Sequence, residues 1–297
     1  MKKINSSGFS HVELFFVFLV ISAMVFLSSY VISKNNSISL QSQANASTYN
    51  PTNWIISNEG YKQLQSVNAS TKLLNTLFNH TSTYFVGATT NPFPQATTIE
   101  TFDSYATFLS AVQNKQIASN VKAILYDDED WVLSPLNEQQ SPVNYAQKAA
   151  NLAHNHNLKL IFTPAVDLTQ ILAPGSSNRY SAFIGLDILG RAAPYVDVIE
   201  IQAQGAQGTS EYATFVKQAV AQIDKVKHGR IFAGMSSEPD GRYVSVTQLK
   251  SDYNATNGSV NGYWLNIPKK SVACPGCGTG NPQIALTYLQ SLLLYSN

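Results

Sequence analysis

Six short runs of apolar, β-branched or aromatic residues recur along the chain at a nearly fixed interval, with helix-like stretches between them. The runs are YFVGA from Tyr84, KAILY from Lys122, KLIFT from Lys159, DVIEIQ from Asp197, RIFAG from Arg230 and NGYWLN from Asn261, so successive starts differ by 38, 37, 38, 33 and 31 residues. The intervening stretches are SYATFLSAVQNKQ, VNYAQKAANLAHNHN and EYATFVKQAVAQIDKVK, and QIALTYLQSLLLY from Gln283 supplies a final helix. In the second stretch Val143, Ala146, Ala150 and Ala153 share one face, and Asn155 and Asn157 are stop residues. Such alternation implies βα units and a parallel sheet. TTNPFPQ follows the first run where a G-x-G-x-x-G would mark a dinucleotide site, so an open doubly wound sheet loses its main support. The expectation is an α/β chain folded as a (β/α)8-type TIM barrel over residues 54–297, either complete or short of two regular strands. Residues 54–79 offer a covering helix or part of a missing unit.

In a barrel of this kind, chemistry sits at the C-terminal ends of the strands. Polar residues gather there. KAILY runs into Asp127, Asp128, Glu129, Asp130 and Trp131, KLIFT into Asp167, and RIFAG into Ser236, Ser237 and Glu238. Period two puts Leu125, Asp127 and Glu129 on one face and Tyr126, Asp128 and Asp130 on the other, without saying which looks inward. In DVIEIQ, Val198, Glu200, Gln202 and Gln204 share a face opposite Ile199 and Ile201, which points Glu200 and the glutamines into the barrel. A buried glutamate needs a partner or a shifted pKa. Glu200 is therefore either functional or a structural glutamate satisfied by Arg179, Arg191 or a tyrosine.

Paired carboxyls are what glycoside hydrolysis requires, ~5–5.5 Å apart for retention and ~6.5–9.5 Å for inversion. Asp127, Glu129 and Glu200 are the catalytic candidates. Asp128, Trp131, Gln202, Gln204, Trp264 and Asn266 are the substrate-binding candidates, with Tyr126, Tyr263 and the two tryptophans as stacking faces for a sugar ring.

The front of the chain is a separate matter. Lys2 and Lys3 precede an apolar stretch from Val12 to Ile32, long enough to cross a bilayer, and the positive-inside rule puts the remainder of the chain outside the cell. A cleavable secretory signal is the competing reading, but its apolar core is usually shorter. Gly8-Phe9-Ser10-His11-Val12-Glu13-Leu14 resembles the leader of type IV prepilins. That resemblance implies a cut between Gly8 and Phe9 by a prepilin peptidase, methylation of Phe9, and pairing of Glu13 with a neighbouring pilin-like subunit. The expected organisation is a leader over 1–8, a membrane anchor over 9–33, a Ser- and Asn-rich linker over 34–53, and then the barrel.

LYDDEDWVLSPLNEQQSP, LIFTPAVDL, VIEIQAQG and GYWLNIP together resemble a group of secreted bacterial proteins with a glycosidase-like barrel. The resemblance implies the fold more than a reaction. Chitinase-type enzymes carry D-x-x-D-x-D-x-E, and with Glu129 as its last residue Leu125 stands where an aspartate belongs. Families with an acid on the fourth strand and a nucleophile on the seventh want a carboxylate near Trp264, where Asn266 stands. Three functions stay open: a membrane-tethered extracellular barrel that cleaves a polysaccharide, a noncatalytic carbohydrate-binding or surface-display protein, and a pilin-like minor subunit with an enlarged head.

Other chemistries find little support. The formal net charge is +1 and charged residues are 12%, about half the usual share, which gives no basic patch for nucleic acid. Cys274 and Cys277 suit a local disulfide better than half a zinc site, since no second pair exists. No cofactor motif or metal-ligand set is expected.

Overall fold

A computed structural model describes residues 52–87, 90–269 and 278–294. The leader with Gly8, Phe9 and Glu13, the anchor, most of the linker and the Cys274–Cys277 pair lie outside the described residues. Among the described residues no helix is long and apolar enough to cross a membrane.

Eight parallel strands close into a barrel in chain order: β1 (Asn53–Ser57), β2 (Tyr84–Val86), β3 (Thr97–Phe102), β4 (Ala123–Asp128), β5 (Lys159–Pro164), β6 (Val198–Ile201), β7 (Arg230–Ser236) and β8 (Gly262–Asn266). β8 returns to pair with β1 through Asn53–Gly262, Trp54–Tyr263 and Ile55–Trp264. The barrel is complete, which corrects the version short of two regular strands. The strands absent from the periodic pattern are β1 and β3. β1 is the head of the 54–79 segment, and the helices Asn58–Ser66 and Thr71–Phe78 form its crossover to β2. β3 reads TTIETF, too polar to register as a strand. The 38-residue interval after Tyr84 therefore holds two strands, β2 being only three residues long.

Alternation sorts the side chains. Ile55, Tyr84, Ile99, Ala123, Leu125, Ile161, Val198 and Phe232 point inward and form one buried cluster that fills the middle of the barrel. Ile124, Phe162, Ile199 and Ile231 point outward and are buried beneath the helices. Burial on both faces explains why the runs read as nearly continuous apolar stretches. The helix Pro142–Asn155 packs through Ala146, Ala149, Ala150 and Ala153, whose small side chains let it lie close to β4 and β5. Asn157, at φ +58°, ends it. Its last-turn His154 pairs with Asp197, Nε2 to Oδ2 at 2.8 Å, and the same oxygen accepts from the Leu160 N–H.

One cap comes from far along the chain. Glu138, buried in the loop after β4, accepts from the Tyr105 and Ala106 amides at 2.6 and 3.2 Å, at the start of the helix Tyr105–Gln113. A carboxylate there satisfies free N–H groups and meets the positive end of the helix dipole.

If Ile99 closes the interior as described, Ile99→Ala will lower the unfolding free energy by ~2–5 kcal/mol. Val132→Ser, at a position 93% exposed, will change it by no more than about 0.5 kcal/mol. Urea unfolding followed by tryptophan fluorescence measures both.

Candidate functional site

Leu125 decides the orientation of the acidic run. It is fully buried in the interior cluster, so the residues two and four further along the same face, Asp127 and Glu129, enter the barrel mouth. Both line a cavity of about 690 Å³ at the C-terminal ends of the strands. Asp128 goes the other way and is sealed on the helix side, so this expected substrate contact does not line the cavity.

The two inward acids form a unit. The Gln202 side-chain amide donates to Asp127 Oδ1 at 3.1 Å, to Glu129 Oε1 at 3.2 Å and to the Thr163 carbonyl at 3.1 Å. The Thr163 hydroxyl donates to Asp127 Oδ1 at 2.8 Å. Burial, then the charge of Glu129, holds the Asp127 carboxyl well above the usual carboxylate range. Burial, then the charge of Asp167, pushes Glu129 up to about 7. Two carboxyls that accept from one amide nitrogen repel when both are ionised, which favours holding a proton on the pair.

Glu200 points inward as expected, but it is fully buried beneath the cavity rather than in its lining. Neither oxygen has a hydrogen-bond partner among the described residues, so the structural reading with Arg179, Arg191 or a tyrosine does not hold. Burial, then the nearby Glu129, raises its pKa well above the usual value and disfavours its charged form. Gly234 makes the room: a Cβ there would stand 2.4 Å from Glu200 Oε1 and 2.3 Å from Gln204 Oε1. Trp264 lies at the same depth against the interior cluster, with its indole N–H unpartnered.

Trp131, Gln202, Gln204 and Asn266 all line the cavity. β6 stops at Ile201, so Gln204 arrives from the short 3-10 turn Gln204–Ala206 and not from a continuing strand. Tyr126 and Tyr263 face outward: Tyr126 donates to Glu138 at 2.9 Å, and Tyr263 packs against Trp54 and Tyr253. Neither is a sugar platform. The closed barrel also shifts the strand numbering on which one family pattern was compared. The seventh strand is Arg230–Ser236, and Glu238 follows it; its Oε2 accepts from the Gly280 amide at 2.6 Å and does not line the cavity.

Other residues join the site without having been candidates. Asp167, at the end of β5, accepts from the Asp130 amide at 3.0 Å and lines the cavity. Burial raises its pKa, and Arg179 opposes the rise. Asp103, after the unrecognised β3, acts electrostatically on both Asp127 and Glu129. Gln139 holds the loop that carries Glu129 and Trp131, its amide donating to the carbonyls of Glu129, Trp131 and Ser134. Thr163 was legible, since it shares a face with Ile161. No strand-end signal marked Arg179 or Gln139, which come from helices.

No group of histidine, cysteine, aspartate and glutamate among the described residues could hold a metal ion. No protein-family profile matches the chain, and no curated protein does. Solved structures match over most of their length at low identity. The catalytic domain of a family GH18 chitinase from the fern Peteris ryukyuensis is 11% identical, over 81% of this chain and 99% of that one, with a TM-score of 0.48. A GH128 exo-beta-1,3-glucanase from Aureobasidium namibiae is 11% identical, over 80% and 96%, with a TM-score of 0.48. The YdjI aldolase from Escherichia coli K12 is 9% identical, over 73% and 74%, with a TM-score of 0.39. Likenesses this distant carry no reaction with them, and the fold rests on the strands themselves.

Two outcomes are expected of the acids. Between the ordinary carboxylate values near 4 and the raised values near 7 of Asp128 and Glu129, the folded chain keeps protons that the unfolded chain has released. Stability will therefore fall as pH rises through that window, and Asp128→Asn will flatten the fall; melting temperature against pH reads both. Gln202→Leu removes a donor that favours the charged form of Glu129 and will move the Glu129 titration upward in carbon-detected carboxyl NMR.

Proposed function

We propose that the barrel binds a glycan in its mouth and cleaves a glycosidic bond, with Glu129 as general acid. The observation that carries this reading is the Asp127–Glu129 pair: two carboxyls held by one Gln202 amide, Glu129 tuned to about 7, at the open end of a barrel. A general acid works best when its pKa lies near the operating pH. Glu129 gives its proton to the leaving oxygen.

The pair does not flank a scissile bond. Both carboxyls accept from the same Gln202 nitrogen, so they act together from one side. The nucleophile is then a water or a neighbouring group of the substrate on the opposite side. Glu200 lies too deep to touch a sugar and serves, in this reading, to limit the negative charge beneath the pair. The Trp131 indole at the mouth donates to Ser134 Oγ at 2.9 Å, which fixes its ring as a stacking surface.

The sequence adds that this barrel is carried outside the cell on a single N-terminal span with a prepilin-type leader. The second reading keeps the ligand and drops the chemistry. It is favoured by the sealed position of Glu200, which takes one of the three expected catalytic acids out of the lining.

The test is release of new reducing ends by the full chain from a panel of polysaccharides. Glu129→Gln is expected to lower the rate at least ~100-fold with folding and glycan retention unchanged. Asp127→Asn is expected to lower it and shift the pH profile. Retention of glycans without cleavage by the wild type selects the binding protein, and silence in both assays moves weight to the pilin-like subunit.

A further inference from the structure

We propose that the glycan taken by this mouth carries a carboxylate, as a uronic acid does, and that the Arg179 guanidinium receives it. This rests on the glycan reading above and names the substrate class for the same site.

Arg179 lines the cavity and opens the helix Arg179–Leu186. Asn178 caps that helix, its Oδ1 accepting from the Ser181 amide at 2.8 Å, which fixes where the arginine leaves the backbone. The guanidinium is held in place at its head. Nη2 donates to Tyr180 Oη at 3.2 Å, and both atoms stand 2.5 Å from where a Cβ on Gly205 would be. Glycine at 205 thus lets the fork lie against the backbone of the turn after β6. Arg242 approaches the same glycine separately, donating to its carbonyl at 2.9 Å.

What the fork lacks is an acid. The ion pairs among the described residues are His154–Asp197, His228–Asp224 and Lys269–Glu59. The other cation in the lining, Lys269, is thus matched by Glu59 at 3.6 Å, whereas no described carboxylate lies within ion-pair distance of Arg179. Asp167 and Asp240 share the lining with it and stay outside that distance. The arginine commits one of its five donors to Tyr180, lies 5.1 Å from that ring and lines the cavity. A planar fork in that position matches a carboxylate through two parallel hydrogen bonds; a neutral hydroxyl uses one.

The layout gives the substrate a direction. Asp127 and Glu129 come from β4, while Arg179, Gln204 and Gly205 stand at the end of β6. A glycan lying across the mouth would place its carboxylate by the β6 turn and the bond to be cleaved by the β4 acids. The opposing charge is smaller than the count of acids suggests, because burial disfavours the charged forms of Asp127 and Glu200.

The experiment uses the full chain carrying Glu129→Gln, so that bound glycan persists, on an array of neutral, uronate-bearing and sulfated oligosaccharides. Titration calorimetry then compares a bound oligouronate with its methyl ester. Uronate-bearing members are expected to bind, with esterification and Arg179→Gln each weakening binding about tenfold to a hundredfold. Arg179→Lys should restore part of that loss, and circular dichroism should show every variant folded. Equal binding of neutral glycans, unchanged within about twofold by Arg179→Gln, would overturn the carboxylate assignment and leave the glycan reading standing. Preference for sulfated members would also overturn it. No binding by any member would overturn both.

Discussion

Closure is the constraint on which everything else depends. Once eight parallel strands hydrogen-bond into a ring, every second side chain of each strand must enter the same interior. The lower part of that interior takes Ile55, Ile99, Leu125, Ile161, Val198 and Phe232 and becomes a dry plug. The strands that supply the plug then supply the next residues on the same faces, Asp127 from β4, Thr163 from β5 and Glu200 from β6. The acids are thus pressed against an apolar floor by the same geometry that makes the floor.

Desolvation explains the electrostatics of the mouth. Burial is the first cause of the raised pKa values of Asp127, Asp128, Glu129, Asp167 and Glu200. Arg179 opposes the rise at Asp167; for the others, retaining protons is the lower-energy course. The run of acids divides accordingly. Asp127 and Glu129 open onto the cavity and can exchange protons with a ligand. Asp128, behind them, is fully sealed beside Tyr126, whose hydroxyl proton goes to Glu138. One stretch of β4 therefore has a reactive face and a structural one.

The loop after β4 ties the site to the fold. Gln139 collects three carbonyls of the 129–134 turn, and the neighbouring Glu138 caps the helix Tyr105–Gln113. Ser134 adds a second tie, accepting from Trp131 and donating to the Asp103 carbonyl at 2.6 Å. The position of Glu129 is thus fixed by side chains that also order the outer layer. That same loop exposes Val132, Leu133 and Leu136, so its ordering comes from these polar contacts and not from apolar burial at its tip.

The sequence by itself determined the βα repeat, and with it a parallel sheet with chemistry at one end, because burial on both faces leaves apolar runs that recur at the length of one unit. It also determined that Leu125, Asp127 and Glu129 share a face, and that Val198, Glu200 and Gln202 do. Period two fixes relative orientation only, so it took the barrel to decide that the face of Leu125 looks inward and that Asp128 does not. The tertiary structure also decided the strand count, since β1 opens a segment dominated by helices and β3 is too polar to show. Depth was decided there too: Glu200 is fully buried and lies outside the cavity lining. Arg179 reaches the mouth on a helix, and no periodicity along a strand reports what a helix brings back to it.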